Sequence, residues 1–326
     1  MNITVSLYLF LYIFYLPYIY SISCKDESGA DTTSWTIFKL PAGTTYLYYE
    51  KNTTFHTSPY SLNDTTHGSL THTMDQLWKD SPQYILYNDE QPFQVNYNFT
   101  VGHTKAVLMW NRYGGIMIQH SIPKFPYGPK LVEEYSGIPN NAYTYGQHIT
   151  CFPLTLGDLK IISYSLPLAI PNIYDSSCAG IECLGNFGNV IAGAYNTSTI
   201  CTQGELHNMY MMFQKTTQWG KDLWADCVGF YLQSNLQVES WIHGNAIGPT
   251  CWPFHTVDVS SLDFLGYSFS EYNDHSKWAI SASPLVCFGD INRMTTQFIR
   301  GGGAFCWADY GLWNILSNAI QSTNQC

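Results

Sequence analysis

The sequence predicts an α/β protein of two similar halves, each a mixed β-sheet flanked by helices, with a cleft at their junction. Three observations carry that expectation. A short pattern occurs twice, as His103-Thr104-Lys105 with His120 seventeen positions after its histidine, and as His275-Ser276-Lys277 with Asn292 seventeen after. Each copy runs into two β-rich stretches around a turn, the signature of a hairpin. The copies stand about 170 positions apart in a chain of 326 residues, which leaves room for two units of ordinary domain size.

Taken in chain order, residues 1–23 carry no charged side chain, and the apolar, aromatic run Leu7 to Ile22 ends in Ser21-Ile22-Ser23. This reads as a signal peptide, with Pro17 and the polar onset after Cys24 favouring cleavage over a retained anchor. Residues 24–175 make the first half. Within it, Ser69 to Lys79 sets Leu70, Met74, Leu77 and Trp78 on one helical face, with His72 as an exposed residue of that helix. The first hairpin runs Ala106-Val107-Leu108-Met109-Trp110, then Asn111-Arg112-Tyr113-Gly114-Gly115, then Ile116-Met117-Ile118. A turn centred near Asn111 and Arg112 puts His103 opposite His120, and period-two alternation turns His103 and Lys105 the same way. The stretch 176–196, rich in Gly, Ser, Asn and Cys, reads as a connection. In the second half, 197–326, Trp278-Ala279-Ile280 and Leu285-Val286-Cys287-Phe288 flank a turn near Ser283-Pro284 and lead to Gly289-Asp290-Ile291-Asn292. Asp309 to Gln321 carries Leu312, Ile315, Leu316 and Ala319 at helical spacing.

Each hairpin thus presents His, Lys and one further polar group at one end, and those types suit phosphodiester hydrolysis without a metal. A neutral imidazole can attack phosphorus and form a phosphohistidine, which splits one displacement into two easier ones. A protonated imidazole can give its proton to the leaving oxygen and later activate water. Two lysines supply positive charge where the phosphorane builds negative charge, and Asn292 can donate to the same oxygens. No zinc-type C-x2-C pair or H-E-x-x-H motif occurs, and His56, His67 and His72 are too loosely spaced for an evident metal set. No cofactor is implied. The Arg300-Gly301-Gly302-Gly303 run could offer amides and a guanidinium to a phosphate, yet it lacks the frame of a nucleotide-binding loop.

Composition fits a secretory route. All ten cysteines lie beyond residue 23 and are even in number, so disulfides are the default. Sequons begin at Asn52, Asn63, Asn98 and Asn196. The formal net charge of −10 at pH 7 would repel a polyanion, but protonating the 10 histidines brings it to 0. An acidic compartment therefore removes the repulsion. Aromatic residues, 16% of the chain, could stack on bases.

The paired H-x-K segments resemble the phospholipase D superfamily pattern, in which His, Lys, a later Asp and a Gly-Ser-x-Asn run recur twice and meet at a pseudo-twofold axis. Gly289-Asp290-Ile291-Asn292 is similar to that last run, whereas His120 stands at the Asn position of the first half, and Trp110 and Ala282 fill the Asp positions. This departure resembles the deoxyribonuclease II family. The likeness extends over Phe38-Lys39-Leu40-Pro41, Tyr87-Asn88-Asp89, Gly102-His103-Thr104-Lys105, His120-Ser121-Ile122-Pro123, Tyr145-Gly146-Gln147, Asn235-Leu236-Gln237-Val238, Asp274-His275-Ser276-Lys277-Trp278, Gly289-Asp290-Ile291-Asn292-Arg293 and Arg300-Gly301-Gly302-Gly303.

The resemblance implies a phospholipase D-like pseudodimer with its active site at the junction. It implies a metal-independent acid endonuclease that cuts DNA to 3'-phosphate and 5'-hydroxyl ends; the signal, cysteines and sequons point to a lysosomal or secreted protein, with no stable membrane association after signal removal. Its catalytic set maps to His103, Lys105, His120, His275, Lys277 and Asn292. Analogy with phospholipase D makes His103 the nucleophile and His275 the acid, with His120 shaping the phosphate site. The resemblance also implies disulfides Cys24–Cys151, Cys251–Cys326 and Cys287–Cys306, while Cys178, Cys183, Cys201 and Cys227 allow three pairings. Two rivals stand beside the nuclease: a diesterase of lipid head groups, and a secreted DNA-binding or effector protein that keeps the fold without turnover.

Overall fold

The computed structural model describes residues 22–51, 53–95 and 100–326. Residues 1–21 of the stretch 1–23 read as a signal peptide, and the sequon residues Asn52 and Asn98, lie outside the described residues.

A two-stranded ribbon, β1 (Cys24–Lys25) with β2 (Asp31–Thr32), opens the fold. The first large sheet contains β3 (Trp35–Lys39), β4 (Tyr46–Glu50), β5 (His56–Thr57), β6 (Gln83–Asn88), β7 (Lys105–Asn111), β8 (Gly114–His120), β9 (Gln147–Leu154) and β10 (Ile173–Ser176). Its order is β10-β6-β7-β8-β9-β3-β4-β5. The second contains β11 (Cys201–Glu205), β12 (Met211–Lys215), β13 (Leu236–Ser240), β14 (Thr256–Phe264), β15 (Tyr267–Ser270), β16 (Lys277–Ser281), β17 (Leu285–Gly289), β18 (Gly302–Ala308) and β19 (Ile320–Thr323). Its order is β11-β12-β18-β17-β16-β13-β14-β15, with β19 also on β14 and a parallel pair at β13–β14. The helices are α1 (Ser69–Lys79), α2 (Leu156–Ala169), α3 (Phe187–Ile191), α4 (Phe230–Leu232) and α5 (Tyr310–Ala319). The α/β class with large sheets flanked by a few helices is as the sequence predicts, and among the described residues no helix is long and apolar enough to cross a membrane.

The two sheets share a five-stranded antiparallel core: β6-β7-β8-β9-β3 matches β13-β16-β17-β18-β12. Outside it they differ, since β10 runs antiparallel to β6 but β14 runs parallel to β13. The match reaches single side chains. β3 ends on Lys39 and β12 on Lys215, both buried. Lys39 Nζ donates to the carbonyls of Leu40, Gly43 and Tyr143, and Lys215 Nζ to those of Gln297, Phe298 and Arg300. Burial lowers both ammonium groups to about 8.

Alternation along the strands sorts the core. Ala106, Leu108 and Trp110 of β7 join a central cluster with Phe38, Phe152, Phe264, Phe288 and Phe305, so one face of each sheet packs on the other. Phe38 stacks on Phe264 at 5.0 Å and Phe152 meets Phe305 at 5.4 Å. Val107 and Met109 point the opposite way, into an outer cluster with Leu70, Met74 and Leu77 of α1. His72 is half-buried rather than exposed, because the ribbon's Gly29 lies over its ring. A third cluster packs Trp224 and Val228 on the outer face of the second sheet. At the C-terminal end Asp309 caps α5 by accepting from Leu312 N–H at 3.0 Å, and the chain leaves the helix at Ile320 to form β19.

Five disulfides are present: the three pairs that the resemblance implied, plus Cys178–Cys183 and Cys201–Cys227 from the open set of four. Of the described sequons, Asn196 is exposed, while the amide oxygen of half-buried Asn63 accepts from Ile138 N–H at 3.0 Å.

Candidate active site

The first hairpin pairs Asn111 with Gly114, so its turn is Arg112-Tyr113, one residue later than the sequence suggests. The Asn111 side chain accepts from Tyr113 N–H at 2.9 Å and so begins the turn rather than sitting inside it. That shift moves the pairing by two residues. Continuing the ladder beyond Ala106↔Gln119 sets Lys105, not His103, across from His120. In the second hairpin, where Ile280 pairs Val286, the same position opposite Lys277 falls on Gly289. The equal spacing of seventeen therefore does not make His120 and Asn292 structural counterparts, because β16 and its turn differ in length from β7 and its turn.

What is equivalent is the way each histidine is hung. His103 N–H donates to Gly301 O, and His275 N–H to Gly146 O, both at 2.8 Å, so each half's histidine is held by a glycine of the other. A Cβ on Gly301 would lie 2.5 Å from Ala169 O, and one on Gly146 would lie 2.5 Å from Asp274 Oδ1. The lysines are tied across the junction as well. Lys105 N–H donates to Asp290 Oδ1 at 3.3 Å, and Lys277 N–H to His148 Nδ1 at 3.0 Å. That bond leaves the His148 proton on Nε2, which donates to Gln119 Oε1 at 2.7 Å, and Gln119 Nε2 in turn donates to Gly289 O at 3.0 Å.

The two histidines have different surroundings. His103 Nε2 faces Asp89 Oδ2 at 3.8 Å, and its Nδ1 is buried with no hydrogen-bond partner among the described residues. Asp89 also pairs with Lys105 Nζ and, at 3.4 Å, with Arg300 Nη2. Burial opposes ionisation of Asp89, but Lys105, His103 and Arg300 together hold it well below the usual carboxylate range. His275 Nδ1 donates to Ser121 O at 2.9 Å, with Gln147 Oε1 at 3.2 Å.

Electrostatics joins the pairs. Burial, then Lys105, pushes His103 well below its ordinary value. Burial, then Lys277, Lys105 and His103, does the same to His275. Lys277 is driven well down by burial and then by Lys105. His120 falls to about 3 through burial and Lys105; its Nδ1 accepts from Ile122 N–H at 3.2 Å and Phe125 covers it edge-on at 5.1 Å. Asn292 is buried with no hydrogen bond to its amide oxygen among the described residues. It follows Ile291, whose side chain packs on Gly302 beside the His103 carbonyl. Arg300 is buried, with Nε donating to Val101 O at 2.9 Å, and Gly302 and Gly303 are rungs of β18, not a phosphate loop.

Asp89, Asp290, Gln119, Gln147 and His148 escaped the sequence reading as site residues. Asp89, Gln147 and Asp290 fall inside short blocks noted above, while His148 carries no sequence signal at all, since its role arises only when β9 meets β16. Burial lifts Asp290 to about 7.

The deoxyribonuclease II family model matches residues 23–326. Rat deoxyribonuclease-2-alpha is 31% identical over 94% of this chain and 95% of its own length. Cell death-related nuclease 6 of Caenorhabditis elegans is 28% identical over 93% and 89%, and a putative deoxyribonuclease-2 of Burkholderia thailandensis 31% over 91% of each. A match over residues 23–326, joined to these near-full-length relatives, establishes that the chain belongs to the deoxyribonuclease II family.

Proposed function

We propose that this chain is an acid endodeoxyribonuclease that hydrolyses DNA phosphodiesters without a metal ion and leaves 3'-phosphate and 5'-hydroxyl ends. The observation that carries the reading is the site at the sheet junction, where His103 and His275 are hung by matched bonds from glycines of the opposite half and the charges of Lys105 and Lys277 disfavour protonation of both. Buried bases held below their ordinary proton affinity by neighbouring positive charge are relieved by an anion. A phosphodiester entering the site offsets that charge and restores protons to Lys277 and His275. The relatives named as deoxyribonucleases supply DNA as the substrate class.

In the first step the neutral imidazole of His103 attacks phosphorus. The P–N bond forms as the P–O5' bond breaks, and the leaving 5'-oxygen takes the proton of His275. In the second, His275 takes a proton from water, the hydroxide attacks phosphorus, and the P–N bond breaks to release the 3'-phosphate. Lys105 and Lys277 hold the phosphoryl oxygens, with the Asn292 amide as a further donor. His120, held neutral and bound to Ile122 N–H, shapes the pocket wall behind Lys105 rather than attacking. Because burial, both lysines and His103 all depress proton affinity at His275, its donating form requires acid. Activity is expected to fall as pH rises through neutrality.

The five disulfides and the exposed sequon at Asn196 support passage through the secretory pathway to a lysosomal or secreted destination. The test is incubation with plasmid DNA at about pH 5 with a chelator present, beside His103→Ala and His275→Ala variants. Cleavage by the unmodified protein alone, with 3'-phosphate ends, supports the assignment. Intact DNA with a folded, disulfide-bonded protein overturns it in favour of a DNA-binding protein without turnover.

A further inference from the structure

The ladder registers give positions beside one histidine a counterpart beside the other. Asn88 faces Lys105 across β6–β7, and Ser240 faces Lys277 across β13–β16, so one step on Asp89 and Trp241 match. Lys39 faces Gln147 and Lys215 faces Gly302, so two steps back Tyr145 and Arg300 match. The matched positions carry opposite chemistry. Beside His103 they hold an ion pair, Asp89 with Arg300. Beside His275 they hold two rings, Tyr145 and Trp241, 5.6 Å apart at 63°.

The rings continue outward. Trp241 meets the His275 imidazole at 4.8 Å and 68°; His243 stacks on Trp241 at 4.3 Å and 29°; Tyr272 lies 4.8 Å from His243. His243 Nε2 is fixed on the Tyr272 carbonyl at 2.9 Å. Exposure rises along the row, from His275 at 7% through half-buried Trp241 to exposed His243 and Tyr272 at 56%. Holding His275 does not require this row, since Gly146, Ser121 and Gln147 already fix its backbone and ring. Rings placed only for packing would be covered, whereas these lead from a reactive imidazole to solvent.

We propose that Tyr145, Trp241, His243 and Tyr272 form a stacking wall for one nucleobase, that of the nucleoside whose 5'-oxygen receives the His275 proton. The proposal rests on the function set out above and names a base-binding subsite of that site. In a nucleic acid each phosphate is followed, one sugar away, by a planar base. The ionic half of the site suits the phosphate, and the ring half suits the base beside it. Stacking on rings tolerates any sequence, because every base has a π-face.

The experiment uses a thymidine tetramer with a single phosphodiester, its other linkages being uncharged methylphosphonates, and the same tetramer with an abasic residue immediately 3' of that phosphodiester. Binding is measured by fluorescence polarisation on the full chain carrying His103→Asn, and hydrolysis on the unmodified protein. The base-bearing tetramer is expected to bind about tenfold more tightly than the abasic one. Adding Tyr272→Ala or His243→Ala should erase that preference, and Tyr272→Phe should keep it. Equal binding of the two tetramers, or a preference that survives both alanine changes, overturns the wall. Failure of the unmodified protein to hydrolyse either tetramer at about pH 5 overturns the catalytic reading instead, and the binding comparison still decides the wall.

Discussion

At the scale of single residues, Asp89 links most of the first half-site, facing Lys105, Arg300 and His103 together. Its charge raises the proton affinity of His103 against burial and Lys105. Asp89→Asn is expected to lower kcat about 100-fold, the scale of one positioned acid–base group. It should also move the acid limb of the kcat/KM profile, where His103 protonates, to lower pH. A loss of amplitude with an unmoved limb would reduce Asp89 to a structural support. Glu239 poses a different problem. It is fully buried and neither oxygen has a hydrogen-bond partner among the described residues. Burial, then Asp274 and Glu271, raises its carboxyl well above the usual range. A group raised on folding contributes stability that is present below its unfolded value, about 4.3, and is lost as pH rises toward the folded one. Glu239→Gln should therefore leave the thermal midpoint nearly unchanged at about pH 4 and raise it by roughly 2–4 °C at about pH 7.5. An equal shift at both values would contradict the assignment.

At the scale of elements, the site depends on two loops that buried lysines tie down. Lys215 gathers the carbonyls of 297, 298 and 300 at the end of β12 and so sets Arg300 toward Asp89. Lys215→Met should cost about 3 kcal/mol, because three buried carbonyls lose a charged donor, and urea unfolding measures it. Gly301→Ala tests the clamp on His103. The added Cβ would meet Ala169 O at 2.5 Å, displacing the carbonyl that holds His103 N–H. Activity is expected to drop about 100-fold, as for a small misplacement of a reacting group, with the far-ultraviolet spectrum retained. Unchanged activity would mean that Gly301 does not position His103.

At the scale of the molecule, two sheets that share a five-stranded core meet face to face, and five disulfides cross-link the chain around and within them. Cys24–Cys151 spans 127 positions and ties the opening ribbon to β9, whereas Cys178–Cys183 spans 5. Chain-entropy reasoning assigns roughly 5 kcal/mol to the first and roughly 2 to the second. Opening Cys24–Cys151 by paired serine substitutions should therefore lower the thermal midpoint more than opening Cys178–Cys183, and calorimetry would detect the reverse order.

The sequence by itself determined the α/β class, both H-x-K pairs, the helix from Ser69 to Lys79 and the two hairpins, because period-two and helical alternation are local consequences of side-chain direction. The family resemblance, carried by ordered blocks along the chain, supplied three of the five disulfides. Only the tertiary structure decided the rest. Asn111 capping its own turn shifted the first register by two residues and separated His120 from the role of Asn292's counterpart. The clamps Gly301 to His103 and Gly146 to His275, and the bonds Lys277 to His148 and Gln119 to Gly289, join residues more than a hundred positions apart. Such partners leave no local pattern, since what selects them is the satisfaction of buried polar groups where the two sheets meet. The same junction decided that one histidine sits beside an ion pair and the other beside rings, an asymmetry invisible in two nearly identical tripeptides.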